Sequence, residues 1–66
     1  LRARERLVHL ELPARCLHLL GPWHRTGDVL EQVCENGNCT VTVRMRQEDA
    51  GRLLAREPEV REVPGP

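Results

Sequence analysis

The chain has 66 residues and one aromatic side chain, Trp23, so we expect a single small domain with a core of Leu and Val. Its ten basic and ten acidic residues cancel to a formal net charge of zero, which argues against a strong general attraction to nucleic acid or to an acidic membrane. No stretch approaches the roughly 18 apolar residues that a membrane span requires.

The first half of the chain predicts a strand followed by an interrupted helix. Residues 1–6 look like an incoming helix or linker, and residues 7–12 alternate between apolar and polar as a half-buried strand does. Pro13 ends this strand. Residues 14–25 carry apolar side chains at helical spacing, but Gly21-Pro22 interrupts them, so the helix is expected in two pieces.

The second half predicts a hairpin, a helix and a short last strand. Residues 29–34 and 40–46 have the composition and alternation of strands, and residues 47–57 form a helix with acidic residues in its first turn. Residues 60–63 add an edge strand, and 64–66 form a tail. This order predicts one α+β domain over residues 7–63. It is the ferredoxin-like split β-α-β arrangement, a small antiparallel sheet with helices on one face.

The segment Cys34-Glu35-Asn36-Gly37-Asn38-Cys39 fixes the register of the hairpin. Asn-Gly at its centre predicts a type I′ turn, which places Cys34 opposite Cys39. Continued along both strands, this pairing gives two faces. The face predicted to point to the core collects Leu30, Cys34, Cys39, Val41, Val43 and Met45, and the outward face includes Val29, Val33, Thr42 and Arg44.

The two hairpin cysteines admit three interpretations. We expect them to be small buried apolar residues, because both fall on the predicted core face. A disulfide across the pair is geometrically conceivable. A metal site with Cys34 and Cys39 would need two more ligands, and His18 and His24 do not share one helix face.

The sequence predicts no enzyme activity and no cofactor. Phosphate-loop, nucleophile-elbow, zinc-protease and dinucleotide motifs are all missing from it. Three cysteines are an odd number for a secreted disulfide framework, and the chain does not open with a secretion signal. These features favour the cytoplasm or an organelle matrix, and the missing initiator Met suggests a domain cut from a larger chain.

The outward face of the predicted sheet is the candidate interaction surface. It would present Leu7, His9, Val29, Val33, Thr42 and Arg44, with His9 solvated. A ferredoxin-like sheet carries helices on one side only, so this face is open unless another chain or domain covers it. It is either a solvent-exposed face or a docking surface. RNA stays open as a partner, although the sheet has no aromatic residue on which bases could stack.

Four segments of the sequence resemble a known family. They are the strand ending in Leu12-Pro13, the Asn36-Gly37 turn, Val-Thr-Val-Arg-Met at 41–45 and Arg-Leu-Leu-Ala-Arg-Glu-Pro at 52–58. They look like the small C-terminal domain of HflX-type ribosome-associated GTPases, over residues 7–63. The C-terminal ferredoxin-like domain of the IMPACT/YigZ family is the second resemblance. The first implies a module that helps to place an enzyme on the large ribosomal subunit. No nucleotide motif lies in this segment, so no catalytic residue carries over.

Three functional hypotheses follow. The first is a non-catalytic accessory or interaction module that contacts a protein or the ribosome. The second is a regulatory domain of the ACT type, which would form a homodimer through the sheet and bind a small ligand. The third is a redox or metal module centred on Cys34 and Cys39. No membrane partner is expected.

Overall fold

The computed structural model describes residues 5–65 and divides them into seven elements. In chain order these are β1 (Glu5–Pro13), a 3₁₀-helix (Ala14–Leu20), α1 (Gly21–Arg25), β2 (Val29–Glu35), β3 (Asn38–Arg46), α2 (Gln47–Arg56) and β4 (Arg61–Glu62). None of the helices in this part of the chain has the length and apolarity needed to cross a membrane.

The four strands form one open antiparallel sheet in the order β2-β3-β1-β4. Because β3 lies between β1 and β2, this is the split β-α-β arrangement. Buried side chains of β1 and β3, such as Leu10 and Val41, pack with Leu20 of the 3₁₀-helix and with Ala50 and Leu53 of α2. The predicted α+β fold with helices on one face is therefore confirmed.

The strand β1 begins earlier than its sequence pattern predicts. Residues 1–4 of the predicted incoming helix or linker lie outside the described residues. Glu5 and Arg6 belong to β1, where they pair with Arg46 and Met45 of β3. Two consecutive charged residues do not show the alternation of apolar and polar residues that predicts a strand. They are extended here because they pair with the long strand β3.

The first helical segment is divided as predicted. A 3₁₀-helix ends at Leu20, and α1 begins at Gly21 with Pro22 in its first turn. Pro22 has no backbone N–H to donate, which costs least in the first turn of a helix. Cys16 and Leu20 are the buried side chains of the 3₁₀-helix, so this piece closes the core over β1.

The β2–β3 hairpin has the predicted turn. Asn36 and Gly37 have φ angles of 54° and 83°, as both central residues of a type I′ turn require. Cys34 pairs with Cys39, and the ladder continues in the predicted register to Glu31.

A bulge at the start of β2 then reverses the predicted orientation of two residues. Val29, not Leu30, pairs with Val43, so Leu30 is an extra residue that has no partner in the β2–β3 ladder. Val29 packs against the core, while Leu30 is 47% exposed. The prediction that Leu30 faces the core and Val29 faces outward is wrong, because one extra residue inverts the alternation.

Candidate interaction surface

The face of the sheet opposite the helices carries side chains from alternate positions of β1 and β3. Leu7, His9 and Glu11 lie on β1, and their partners on β3 are Arg44, Thr42 and Thr40 respectively. Val33 of β2 joins this face through its pairing with Thr40. The face is mixed in character, as the sequence predicts.

His9 is held in place rather than solvated. Its Nδ1 atom lies 3.1 Å from the hydroxyl of Thr42 on the neighbouring strand. The backbone N–H of Val63 donates to the carbonyl of His9 at 2.9 Å, and Gly65 lies so close that a Cβ there would overlap the imidazole ring. The expectation of a solvated His9 is therefore wrong, because the segment after β4 covers the ring.

Arg44 is one of the cationic groups of this face, and Asp28 fixes its position. The guanidinium Nη1 lies 3.5 Å from Asp28 Oδ1, and the backbone N–H of Arg44 donates to the Asp28 carbonyl at 2.8 Å. The Arg44 side chain is 43% exposed. It is therefore positioned by the loop before β2 and still accessible to a partner.

Leu7 and Val33 are the exposed apolar side chains of the face, at 50% and 59% exposure. They do not form one patch. Leu7 lies in the row of Arg44 and Val33 in the row of Thr40, two strands apart. With about 4.8 Å between strands and about 3.3 Å per residue, their backbones are roughly 16 Å apart. Of the six predicted surface residues, the structure places five on this face and moves Val29 to the core side.

Charged pairs tie β4 to the rest of the domain. Arg61 of β4 pairs with Glu11 of β1, and Glu62 accepts from Arg6 Nη1 at 2.8 Å. The Arg6 Nε also donates to the side chain of Gln47, the first residue of α2. The hydrogen bond from Arg6 lowers the pKa of Glu62, and the same bond raises the pKa of Arg6.

Cys34 and Cys39 are joined by a disulfide, so the prediction of two buried apolar thiols is wrong. Their Cα atoms are 4.0 Å apart across the hairpin. Cys39 is 1% exposed, but Cys34 is exposed. The helices pack over β1 and β3, and residues 30–35 of β2 are exposed, so the core-side face of β2 reaches solvent at Cys34.

The third cysteine, Cys16, is free and buried. Burial raises the pKa of its thiol, and the nearby carboxylate of Glu59, whose Oε1 lies 3.7 Å from Sγ, acts in the same direction. Such a thiol is a poor nucleophile at neutral pH. Its position beside Leu20 in the core fits a packing role.

The histidines and cysteines do not come together as the metal hypothesis would need. Within residues 5–65, no three side chains of the His, Cys, Asp and Glu types are grouped so that they could hold an ion. The Nδ1 of His18 instead lies 2.9 Å from the carbonyl of Arg15 in its own helix.

The outer edge of β2 is a feature that the sequence reasoning missed. Six of its seven residues are exposed, and it is the last strand of the sheet on its side. Glu31 and Glu35 lie on it without an ion-pair partner among the described residues. The strand order carries the signal, because β2 lies at an edge of this four-stranded split β-α-β sheet.

Comparison with known proteins finds no matching family model, no matching curated protein and no matching solved structure. The resemblance to the HflX-type and IMPACT/YigZ domains stays a prediction. Three surfaces of the described residues are accessible to a partner: the helix-free face of the sheet, the outer edge of β2, and Cys34 at the end of the hairpin.

Proposed function

We propose that this chain is a non-catalytic interaction module that contacts a protein or the ribosome through the helix-free face of its sheet. The observation that carries the proposal is the exposure of that face, where Leu7 is 50% and Val33 is 59% exposed. Two separated apolar side chains set among Thr, Arg and Glu side chains suit a polar interface with a few apolar contacts.

The ribosome is the partner that the HflX resemblance implies, and the cationic groups of the face support it. Arg44 and Arg46 occupy alternate positions of β3 and point to the same side of the sheet. Two guanidinium groups at this spacing can contact neighbouring phosphates of RNA, or carboxylates of a protein. A cytoplasmic or organelle-matrix location belongs to the same proposal.

Co-sedimentation with purified ribosomes tests this proposal directly. We expect the whole chain to pellet with ribosomes, and Leu7→Ser and Arg46→Glu to reduce the pelleted fraction. Arg52→Glu is the matched control, because it makes the same charge reversal on α2, where Arg52 is 67% exposed. Failure of the wild-type chain to pellet would overturn the ribosome contact. Equal pelleting by Arg46→Glu and Arg52→Glu would overturn the choice of the sheet face.

The disulfide favours a second candidate function, a redox-responsive module. A dithiol such as dithiothreitol would reduce the Cys34–Cys39 bond to two thiols and would itself become a cyclic disulfide. Thiol titration of the unfolded chain should then rise from one group, Cys16, to three. If reduction changes neither the thiol count nor ribosome pelleting, this candidate fails.

A further inference from the structure

The outer edge of β2 presents backbone groups that no described strand uses. In a two-residue hairpin the residues next to the turn exchange both backbone hydrogen bonds, so Glu35, Val33 and Glu31 direct their N–H and C=O groups toward β3. The N–H and C=O groups of Gln32 and Cys34 therefore point away from the sheet. They form a short template on which another strand can pair.

The side chains along this edge have a chemical pattern of their own. Glu31, Val33 and Glu35 alternate acidic, apolar, acidic on the helix-free face, and β2 contains no basic residue. Val33 is 59% exposed. Neither carboxylate has an ion-pair partner within residues 5–65. Any strand added here meets one carboxylate on each side of this apolar side chain.

This pattern disfavours a second copy of the chain as the added strand. In the antiparallel register with full overlap, Val33 would face its symmetry mate and Glu31 would face Glu35 of the other copy. Like charges directly opposite each other destabilise a strand pair. The same two residues thus protect the edge from self-association and leave it open to a strand of opposite charge.

We propose that β2 binds an extended protein segment with the pattern basic–any–apolar–any–basic, which adds to the sheet as a fifth strand. The basic side chains, Arg or Lys, lie opposite Glu31 and Glu35, and a β-branched side chain lies opposite Val33. Because this pattern is symmetric about its central residue, it is the same for a parallel and for an antiparallel segment. This inference rests on the proposed role as an interaction module, but it uses the sheet edge rather than the sheet face.

The geometry of the edge strengthens these contacts and limits their length. Glu31, Val33 and Glu35 would occupy the pairs without backbone hydrogen bonds, in which opposing Cβ atoms come within about 4.5–5.5 Å. Toward the N-terminal end, the bulge at Leu30 bends the strand away from regular pairing. The docked segment is therefore matched to residues 31–35 only.

A synthetic peptide provides the test, with acetyl-Thr-Thr-Arg-Thr-Val-Thr-Arg-Thr-Thr-amide as the probe. We expect saturable shifts of the Gln32 and Cys34 amide signals in a titration followed by nuclear magnetic resonance. Glu31→Lys should weaken binding several-fold, and Glu31→Lys with Glu35→Lys by about tenfold. Glu57→Lys is the matched control for the single change, because Glu57 lies in the segment after α2 and its loss should leave the affinity unchanged.

A charge-swapped peptide makes the test specific. The peptide with Glu in place of both Arg residues should bind the double variant about tenfold more tightly than it binds the wild-type chain. A scrambled peptide with adjacent arginines should bind the wild-type chain weakly. Equal affinity of the scrambled and patterned peptides, or no saturable shift at millimolar peptide, would overturn the proposal. So would sedimentation of the wild-type chain as a dimer that protects the Gln32 and Cys34 amides and competes with the peptide for them.

The two proposals can fail separately. Leu7→Ser should reduce ribosome pelleting and leave peptide affinity unchanged, because Leu7 lies on β1, two strands away from the outer edge. The double variant at Glu31 and Glu35 should lose peptide affinity without losing ribosome pelleting, because it replaces two acidic groups of the sheet face with basic ones. Lost pelleting in Leu7→Ser together with absent peptide binding would remove the edge inference and leave the interaction module in place.

Discussion

Cys34 and Cys39 lie directly opposite each other in the β2–β3 ladder, joined by a disulfide with their Cα atoms 4.0 Å apart, yet only one of them is buried. Cys39 is 1% exposed beneath the helices, whereas Cys34 lies on the uncovered edge strand. The disulfide thus joins the exposed edge strand to the buried core strand close to the turn of the hairpin.

This asymmetry predicts different costs for two similar substitutions. In a Cys16→Ser background, Cys34→Ser should destabilise the oxidised protein by about 2 kcal/mol, because the short loop constraint is lost. Cys39→Ser should cost about 1–2 kcal/mol more, since it leaves a buried hydroxyl in an apolar site. Urea unfolding with and without reductant measures both. With reductant, Cys34→Ser should match its background within about 0.5 kcal/mol; equal losses for the two variants would contradict the difference in burial.

Two glycine substitutions should have opposite signs. Gly37 has a φ of 83° and open space around its Cα, so Gly37→Ala should cost about 1 kcal/mol through backbone strain alone. Gly51 lies within α2, also with open space, and Gly51→Ala should stabilise by about 0.5–1 kcal/mol. Thermal unfolding of both variants checks this. An unchanged or higher melting temperature for Gly37→Ala would count against the type I′ turn, and a lower one for Gly51→Ala would count against the helix-propensity argument.

The pair of Arg6 and Glu62 predicts a pH dependence. Because Arg6 lowers the pKa of Glu62 in the folded state, the stabilisation is present above the unfolded pKa of about 4.3 and is lost as pH falls through the folded value. Both side chains are 37% exposed, so solvent screening limits the effect to about 0.5 kcal/mol.

Glu62→Gln removes this contribution. Wild-type chain and variant should differ in urea unfolding at near-neutral pH and should converge at about pH 3. The difference should also shrink in high salt. A difference that persists at about pH 3 would mean that packing, and not the ion pair, accounts for it.

Two leucines of β1 form a matched pair for testing the core. Leu10 is 0% exposed and Leu7 is 50% exposed, and they lie on opposite faces of the same strand. Leu10→Ala should cost about 3 kcal/mol or unfold the domain, because it leaves a cavity. Leu7→Ala should change stability by less than about 0.5 kcal/mol. Circular dichroism melting distinguishes them, and a Leu10→Ala variant of wild-type stability would contradict the core assignment.

The sequence predicted the fold where the signals were local. Pro13, Asn36-Gly37 and Pro58 mark ends and turns through fixed backbone preferences, and the alternation of β1 and β3 follows from a sheet with one buried face. These features were enough for the element order, and the split β-α-β topology followed from it.

The errors concern properties that tertiary structure decides. Whether Cys34 is buried depends on how far the helices extend over the sheet, and they leave this residue exposed. The environment of His9 depends on Gly65, which is distant in sequence. The exchange of Val29 and Leu30 depends on a bulge that no residue type in this strand signals. The sequence did not predict the candidate edge site, because only the strand order shows that the acidic residues of β2 lie along an exposed edge of the sheet.

Because Leu30 is an extra residue in a bulge, the length of β2 can change by one residue without changing which residues form the core. Every pair on the turn side of the bulge keeps the register set by Asn36-Gly37, and Val29 on the other side still meets Val43. Deleting Leu30 would leave all of these partners unchanged and would give an unbroken ladder. A related chain could therefore differ in length by one residue here and keep the same interior, with an alignment gap in the middle of a strand.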